Sequence, residues 1–163
     1  MFTISKLLVP YDGTDTAQAA VSLALQLAHL HNAELHMLAV TPGLDKVMRK
    51  RLTSQPHGTA IERAIRYGEG SLEAAVRKEL DRARDAGRSW SEPTLFAHIS
   101  GGDWNVAVKN VVEEHEIDTI VVGTHGRQGL KEAFWGTDTE EWVRSSPCSV
   151  LVVKPQGYPY LRD

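Results

Sequence analysis

One cysteine, Cys148, stands in the 163 residues, so no disulfide can form within the chain, and nothing in its cysteine usage marks an oxidising compartment. Long apolar runs are missing as well. No stretch approaches the roughly 20 residues needed to cross a bilayer as a helix. Met1-Phe2-Thr3-Ile4-Ser5-Lys6 lacks the charged start, apolar run and small-residue cleavage site of a signal peptide. The expected location is therefore cytoplasmic, with no membrane partner. Charge of one sign is not in excess: 18 basic residues face 21 acidic ones, a formal net charge of −3. Nothing in that balance favours non-specific nucleic-acid binding. With 42% hydrophobic and 24% charged residues, the composition is that of a folded soluble domain.

Apolar runs are short and regularly spaced. Lys6–Tyr11, Ile117–Gly123 and Ser149–Val153 are β-branched or leucine-rich and closed by Gly, Pro or Asp. They read as strands buried on both faces. Glu34–Thr41 and Thr94–Ser100 are weaker strands. Between them lie segments with apolar residues three and four apart. Asp15–His31 has Thr14 or Asp15 as its cap. Leu72–Ala86 is followed by Gly87, where a helix would stop. Asp103–His115 carries its own cap candidate in Asp103, and a last helix starts near Thr137–Thr139 and runs to Ser145.

The order β-α-β-α-β-α-β-α-β predicts an α/β fold: a three-layer α/β/α sandwich on a five-stranded parallel sheet, Rossmann-like in its winding. Ligands of such sheets bind at the carboxyl ends of the strands, where strand order reverses. Residues 1–155 are expected to form one domain, with a surface excursion at about 42–70, in which Leu44–Leu52 and Thr59–Tyr67 are open to helix, and a C-terminal tail at 156–163.

The segment Gly123–Thr139 follows a strong strand and precedes a helix. Gly123, Gly126 and Gly136 let main-chain amides approach an anion, because no Cβ intervenes. A helix start at Thr137 adds unpaired N–H groups. Thr137 and Thr139 offer hydroxyls, and Arg127 or Lys131 positive charge. A turn-forming role for these glycines is equally open on spacing alone. Neither a Walker A loop nor a G-x-G-x-x-G fingerprint is present.

The spacing Gly123, two residues, Gly126, nine residues, Gly136-Thr137 resembles the nucleotide-binding signature of the universal stress protein family, G-x2-G-x9-G-[ST]. Val9–Thr14 and Pro147–Val153 are similar to the first and closing strands of that family. The resemblance runs from Lys6 to Lys154 and weakens over Pro42–Gly70.

It implies an adenine nucleotide alpha hydrolase-like fold and an ATP or AMP ligand, with Mg²⁺ as the candidate counterion at the phosphates. It places Asp12 at the ribose or adenine side, with Pro10 lining the pocket and the Val40 backbone at adenine. Val122 and Gly123 fall at the ribose. Gly126, Arg127, Gly136, Thr137, Asp138 and Thr139 surround the phosphates. Asp138 departs from the family pattern, since a carboxylate beside phosphates is repulsive unless it turns away, caps the helix or shares a cation. The resemblance also implies a homodimer through the edge strand Ser149–Val153. The expected function is a dimeric, nucleotide-binding sensor or regulator in stress response. The alternatives are a slow Mg²⁺-dependent ATPase or nucleotidyl-transfer enzyme, or a dimerisation module without nucleotide.

Seven histidines invite a metal reading. His29 and His31 are two apart on a helix and share no face, and packing or surface roles are expected for them and for His36. Cys148 is expected to be an inert core thiol, and Trp104, Trp135 and Trp142 to serve packing.

Overall fold

The computed structural model describes residues 3–41, 58–124 and 137–154, with the side chains of 58–67 and 137 outside that description. Five strands and four helices alternate: β1 (Lys6–Pro10), α1 (Asp15–His31), β2 (Glu34–Thr41), α2 (Gly58–Asp85), β3 (Leu95–Gly101), α3 (Trp104–His115), β4 (Thr119–Gly123), α4 (Thr137–Ser145) and β5 (Ser149–Val153). All pairings are parallel, in the order β3-β2-β1-β4-β5. This is the predicted three-layer α/β/α fold. The chain winds from β1 outward to β3, then returns past β1 to β4 and β5. Strand order thus reverses between β1 and β4.

Alternation along each strand divides the core in two. Leu7, Val9, Leu35, Met37 and Val121 pack against buried residues of α1 and α2. Leu8, Leu38, Ile120 and Val122 pack against Ala107, Val108, Val111 and Val112 of α3 and Trp142 of α4. The two central strands therefore present apolar side chains on both faces, as their unbroken apolar runs require.

The helix ends carry the expected chemistry. Thr14 caps α1, its side chain accepting from Ala17 N, and Asp103 caps α3, accepting from Asn105 N and Val106 N. Gly87 follows α2 at φ +72°, and the Arg88 amide returns to Ala83 O at 2.8 Å.

Helix α2 differs from expectation. Its spacing suggested a helix over Leu72–Ala86, apart from a helical stretch at Thr59–Tyr67 within the excursion, yet one helix of 28 residues starts at Gly58 and takes in Gly68 and Gly70. Packing explains Gly68. A Cβ there would lie 2.6 Å from Ile99 Cδ1, so the bare backbone lets α2 approach β3. The helix cost of a glycine, about 1 kcal/mol, is offset by that contact. Gly70 is different: nothing lies within 4 Å of a Cβ built there. Gly70→Ala is therefore expected to raise stability by about 0.5–1 kcal/mol, read from the midpoint of urea unfolding. The rest of the proposed excursion, 42–57, and the tail at 156–163 lie outside the described residues.

Among the described residues no helix is long and apolar enough to cross a membrane.

Candidate functional site

The carboxyl ends of β2, β1 and β4 lie side by side. Pro10 pairs with Leu38, and Leu7 and Leu8 pair with Thr119 and Ile120. Carried two residues further, these registers set Asp12 beside Val40 and Pro10 beside Val122. Five predicted site residues, Pro10, Asp12, Val40, Val122 and Gly123, thus gather at the reversal point of the sheet, though they lie up to 113 positions apart in the chain.

Each plays a different part. Pro10, Val122 and Gly123 are buried, Val40 is half-buried and Asp12 is exposed. Leu38 O accepts from Tyr11 N at 2.8 Å. In a parallel strand, alternate residues aim their main-chain groups at the same neighbour. Val40 therefore directs its N–H and C=O to the β1 side, past the last residue of β1.

Asp12 also organises the turn. Its Oδ1 accepts from Thr14 N at 3.0 Å and from Thr14 Oγ1 at 2.6 Å, across Gly13 at φ +81°. The α1 cap itself is Thr14, so Asp12 holds the capping residue while its carboxylate stays exposed.

Gly123 has a packing reason of its own. A Cβ there would run into the Thr16 carbonyl and lie 3.0 Å from Ala17 N. The first turn of α1 thus rests directly on the end of β4.

Behind the turn lies a polar relay that the sequence did not reveal. Tyr11 Oη donates to Gln18 Oε1 at 3.1 Å. Gln18 Nε2 donates to Ala75 O at 3.0 Å and to Glu79 Oε1 at 2.9 Å, and Arg82 reaches the same oxygen at 2.7 Å. Burial, with the charges of Asp12, Glu79 and Asp15 behind it, pushes the Tyr11 hydroxyl above its ordinary pKa and keeps it a proton donor. Only the tertiary pairing of α1 with α2 brings Gln18 and Glu79 together.

Thr124 closes β4, its amide donating to Val153 O at 2.9 Å. Its side chain is buried, and Oγ1 has no hydrogen-bond partner among the described residues. A hydroxyl without a partner, directly after the strand that opens the glycine-rich segment, adds a polar group to this end of the sheet.

Helix α4 begins at Thr137, as expected, with Asp138 half-buried and Thr139 buried in its first turn. Burial raises the Asp138 pKa, the neighbouring Asp103 charge adds to this, and a hydrogen bond with the Asn105 side chain opposes it. The Asp138 carboxyl therefore faces the start of α3. Gly126, Arg127 and Gly136, with His125, Lys131 and Trp135, lie outside the described residues.

The other candidates take structural places. Trp104 and Trp142 pack with ring centroids 6.5 Å apart. Cys148 is half-buried, and burial pushes its thiol pKa up, which makes it a poor nucleophile. His29 Nδ1 accepts from Ser91 N at 3.1 Å on the surface. His36 does not join His29 and His31. It meets His98 and His115 instead. Among the described residues no group of three or more His, Cys, Asp or Glu is arranged to hold a metal ion.

Comparison with known proteins agrees with this architecture. Universal stress protein YxiE of Bacillus subtilis is 28% identical over 156 residues, covering 92% of this chain and 99% of its own. The universal stress protein UspA of Lactobacillus plantarum, 29% identical, superposes with a TM-score of 0.61 over 93% of this chain and 98% of that one. A universal stress protein in complex with cAMP has the same fold at 22% identity, with a TM-score of 0.59 and coverage of 93% and 98%. The sequence model of the Universal stress protein family matches residues 3–154. With that span matched and the β3-β2-β1-β4-β5 sheet in place, the chain belongs to the universal stress protein family.

Proposed function

We propose that this protein binds an adenine nucleotide at the carboxyl ends of β1 and β4 and acts as a dimeric sensor or regulator in stress response. The observation that carries the reading is the reversal of strand order at β1 and β4, with an exposed carboxylate, Asp12, at its mouth. A cAMP complex of a protein with the same fold supports the ligand class.

In this reading Asp12 accepts a ribose hydroxyl, the Val40 main chain meets the base, and Pro10, Val122 and Gly123 line the floor. The phosphates lie toward Gly126, Arg127, Gly136, Thr137 and Thr139. Asp138, turned to Asn105, is kept from opposing them. The Thr124 hydroxyl, which has no partner among the described residues, suits a polar ligand group or a bridging water. ATP and AMP are the ligands to test, with and without Mg²⁺. Isothermal titration against ATP, AMP and cAMP is expected to show saturable binding of at least one. Absence of heat for all three, in protein stripped of co-purified ligand, would overturn the reading.

The dimer is assigned to β5. This strand is a sheet edge, and Leu151 on it is 39% exposed. An apolar edge strand needs a cover, and a second copy offers an identical one across a two-fold axis. Leu151→Lys is expected to shift the molar mass from dimer to monomer in light scattering. A dimer that survives the change would place the interface elsewhere.

A further inference from the structure

Three histidines far apart in sequence converge at the β2–β3 edge of the sheet, beside the end of α3. His36 on β2 is 2% exposed. Its ring stacks on Phe96 at 4.7 Å and on His98 at 5.2 Å, both on β3. His115, the last residue of α3, closes the group at 5.2 Å from His36 and 4.6 Å from His98. His36 Nδ1 and His98 Nε2 are 2.9 Å apart, a hydrogen bond between two imidazoles.

That bond has a strict proton requirement. One nitrogen must carry a hydrogen and the other a lone pair. Two neutral rings satisfy it, and so does one charged ring beside a neutral one. Two charged rings would set N–H against N–H, with the third imidazole close by.

The charged groups near the cluster lie on β2, on β1 and in the turn after α3. On β2, Glu34 Oε2 lies 3.6 Å from His36 Nε2, and this carboxylate favours a first proton. On β1, Lys6 Nζ donates to His115 O at 3.0 Å and lies 4.0 Å from Glu116 Oε2, just past α3. Asp118 accepts from the main-chain amides of Ser5 and Lys6 at 2.7 and 2.9 Å. The environment thus admits one proton and resists a second.

We propose that His36, His98 and His115 form an acid-sensitive clasp that holds edge strand β3 to β2 and the end of α3 to the sheet, and that opens when a second proton enters. Among the described residues strand β3 pairs with β2 alone, from Leu95 to Gly101, so the cluster sits on the one ladder that holds this edge. The pKa directions agree with the geometry. Burial, then the neighbouring imidazoles, lowers His98 to about 4, and burial first of all lowers His36. A base whose folded pKa lies below the unfolded value of about 6.5 is charged more readily once released. The clasp is therefore complete above about pH 6.5 and weakens as pH falls toward about 4, with no further loss below.

Hydrogen exchange on the intact protein tests this. Between about pH 7.5 and 4.5, protection of β3 and the last turn of α3 should fall on the order of 50-fold more than that of α1, after correction for intrinsic rates. His98→Gln keeps an N–H donor of similar reach but takes no proton, and should remove most of that excess. A parallel loss in both proteins would overturn the clasp. Should His98→Gln fail to fold, NMR titration of the wild-type imidazoles decides. A His98 midpoint near 4, coupled to His36, supports the proposal, whereas three independent midpoints near 6.5 would sink it.

Discussion

Gly123→Ala is expected to destabilise the protein by about 3 kcal/mol, the upper end of the usual cost of overpacking. The added methyl would collide with the backbone carbonyl of Thr16, not with the tip of a side chain that could rotate away. Relief requires α1 to slide on the sheet. Yet α1 is held at that end by the Thr14 cap and by the Gln18 bonds to Ala75 and Glu79. On the other side, Gly123 pairs with Val153 in the β4–β5 ladder. Neither partner can give cheaply. Urea unfolding should show a lower midpoint with an unchanged slope. A loss under about 1 kcal/mol would mean that α1 does not rest closely on the end of β4.

Asp12→Ala is expected to weaken nucleotide binding by roughly 10- to 100-fold, the range for one charge-assisted hydrogen bond. Stability should fall much less. Thr14 loses two contacts from Asp12, but its own cap to Ala17 remains. A cost near 1 kcal/mol is the expected order. Asp12→Asn retains an acceptor oxygen and should lose less affinity than the alanine variant. Titration calorimetry beside urea unfolding separates the two effects. Unchanged affinity in Asp12→Ala would remove the ligand from the β1 mouth, whatever the fold.

The elements themselves were legible because their signals are local. β1, β4 and β5 are short apolar runs closed by breakers. α1 and α3 show their apolar spacing and their caps, Thr14 and Asp103, in the chain itself. Errors at β3 and β4 were of one or two residues at the ends. The larger miss, the joining of Thr59–Tyr67 and Leu72–Ala86 into one helix, has a clear cause. Gly68 and Gly70 read as helix breakers when nothing in the chain tells that Ile99 will sit against Gly68.

The candidate site divides in the same way. Asp12 and Gly123 were singled out by the motif resemblance, which says nothing of the groups they pack against. Asp12 turned out to brace the α1 cap. Gly123 turned out to admit the first turn of that helix. The direction of Asp138 depended on Asn105 and Asp103, more than 30 residues earlier in the chain. The histidines were grouped by sequence proximity as His29, His31 and His36. The fold instead joined His36 to His98 and His115 through the β2–β3 register and the end of α3.

Periodicity, caps and breakers act within a few residues, so the chain alone specified the alternation of strands and helices, and the spacing of Gly123, Gly126 and Gly136 pointed to the family. Proton sharing between His36 and His98 and the Thr16 carbonyl pressed on Gly123 are relations between distant segments. They exist only once the parallel ladders set the registers, because side-chain distances of a few ångströms depend on which strands become neighbours.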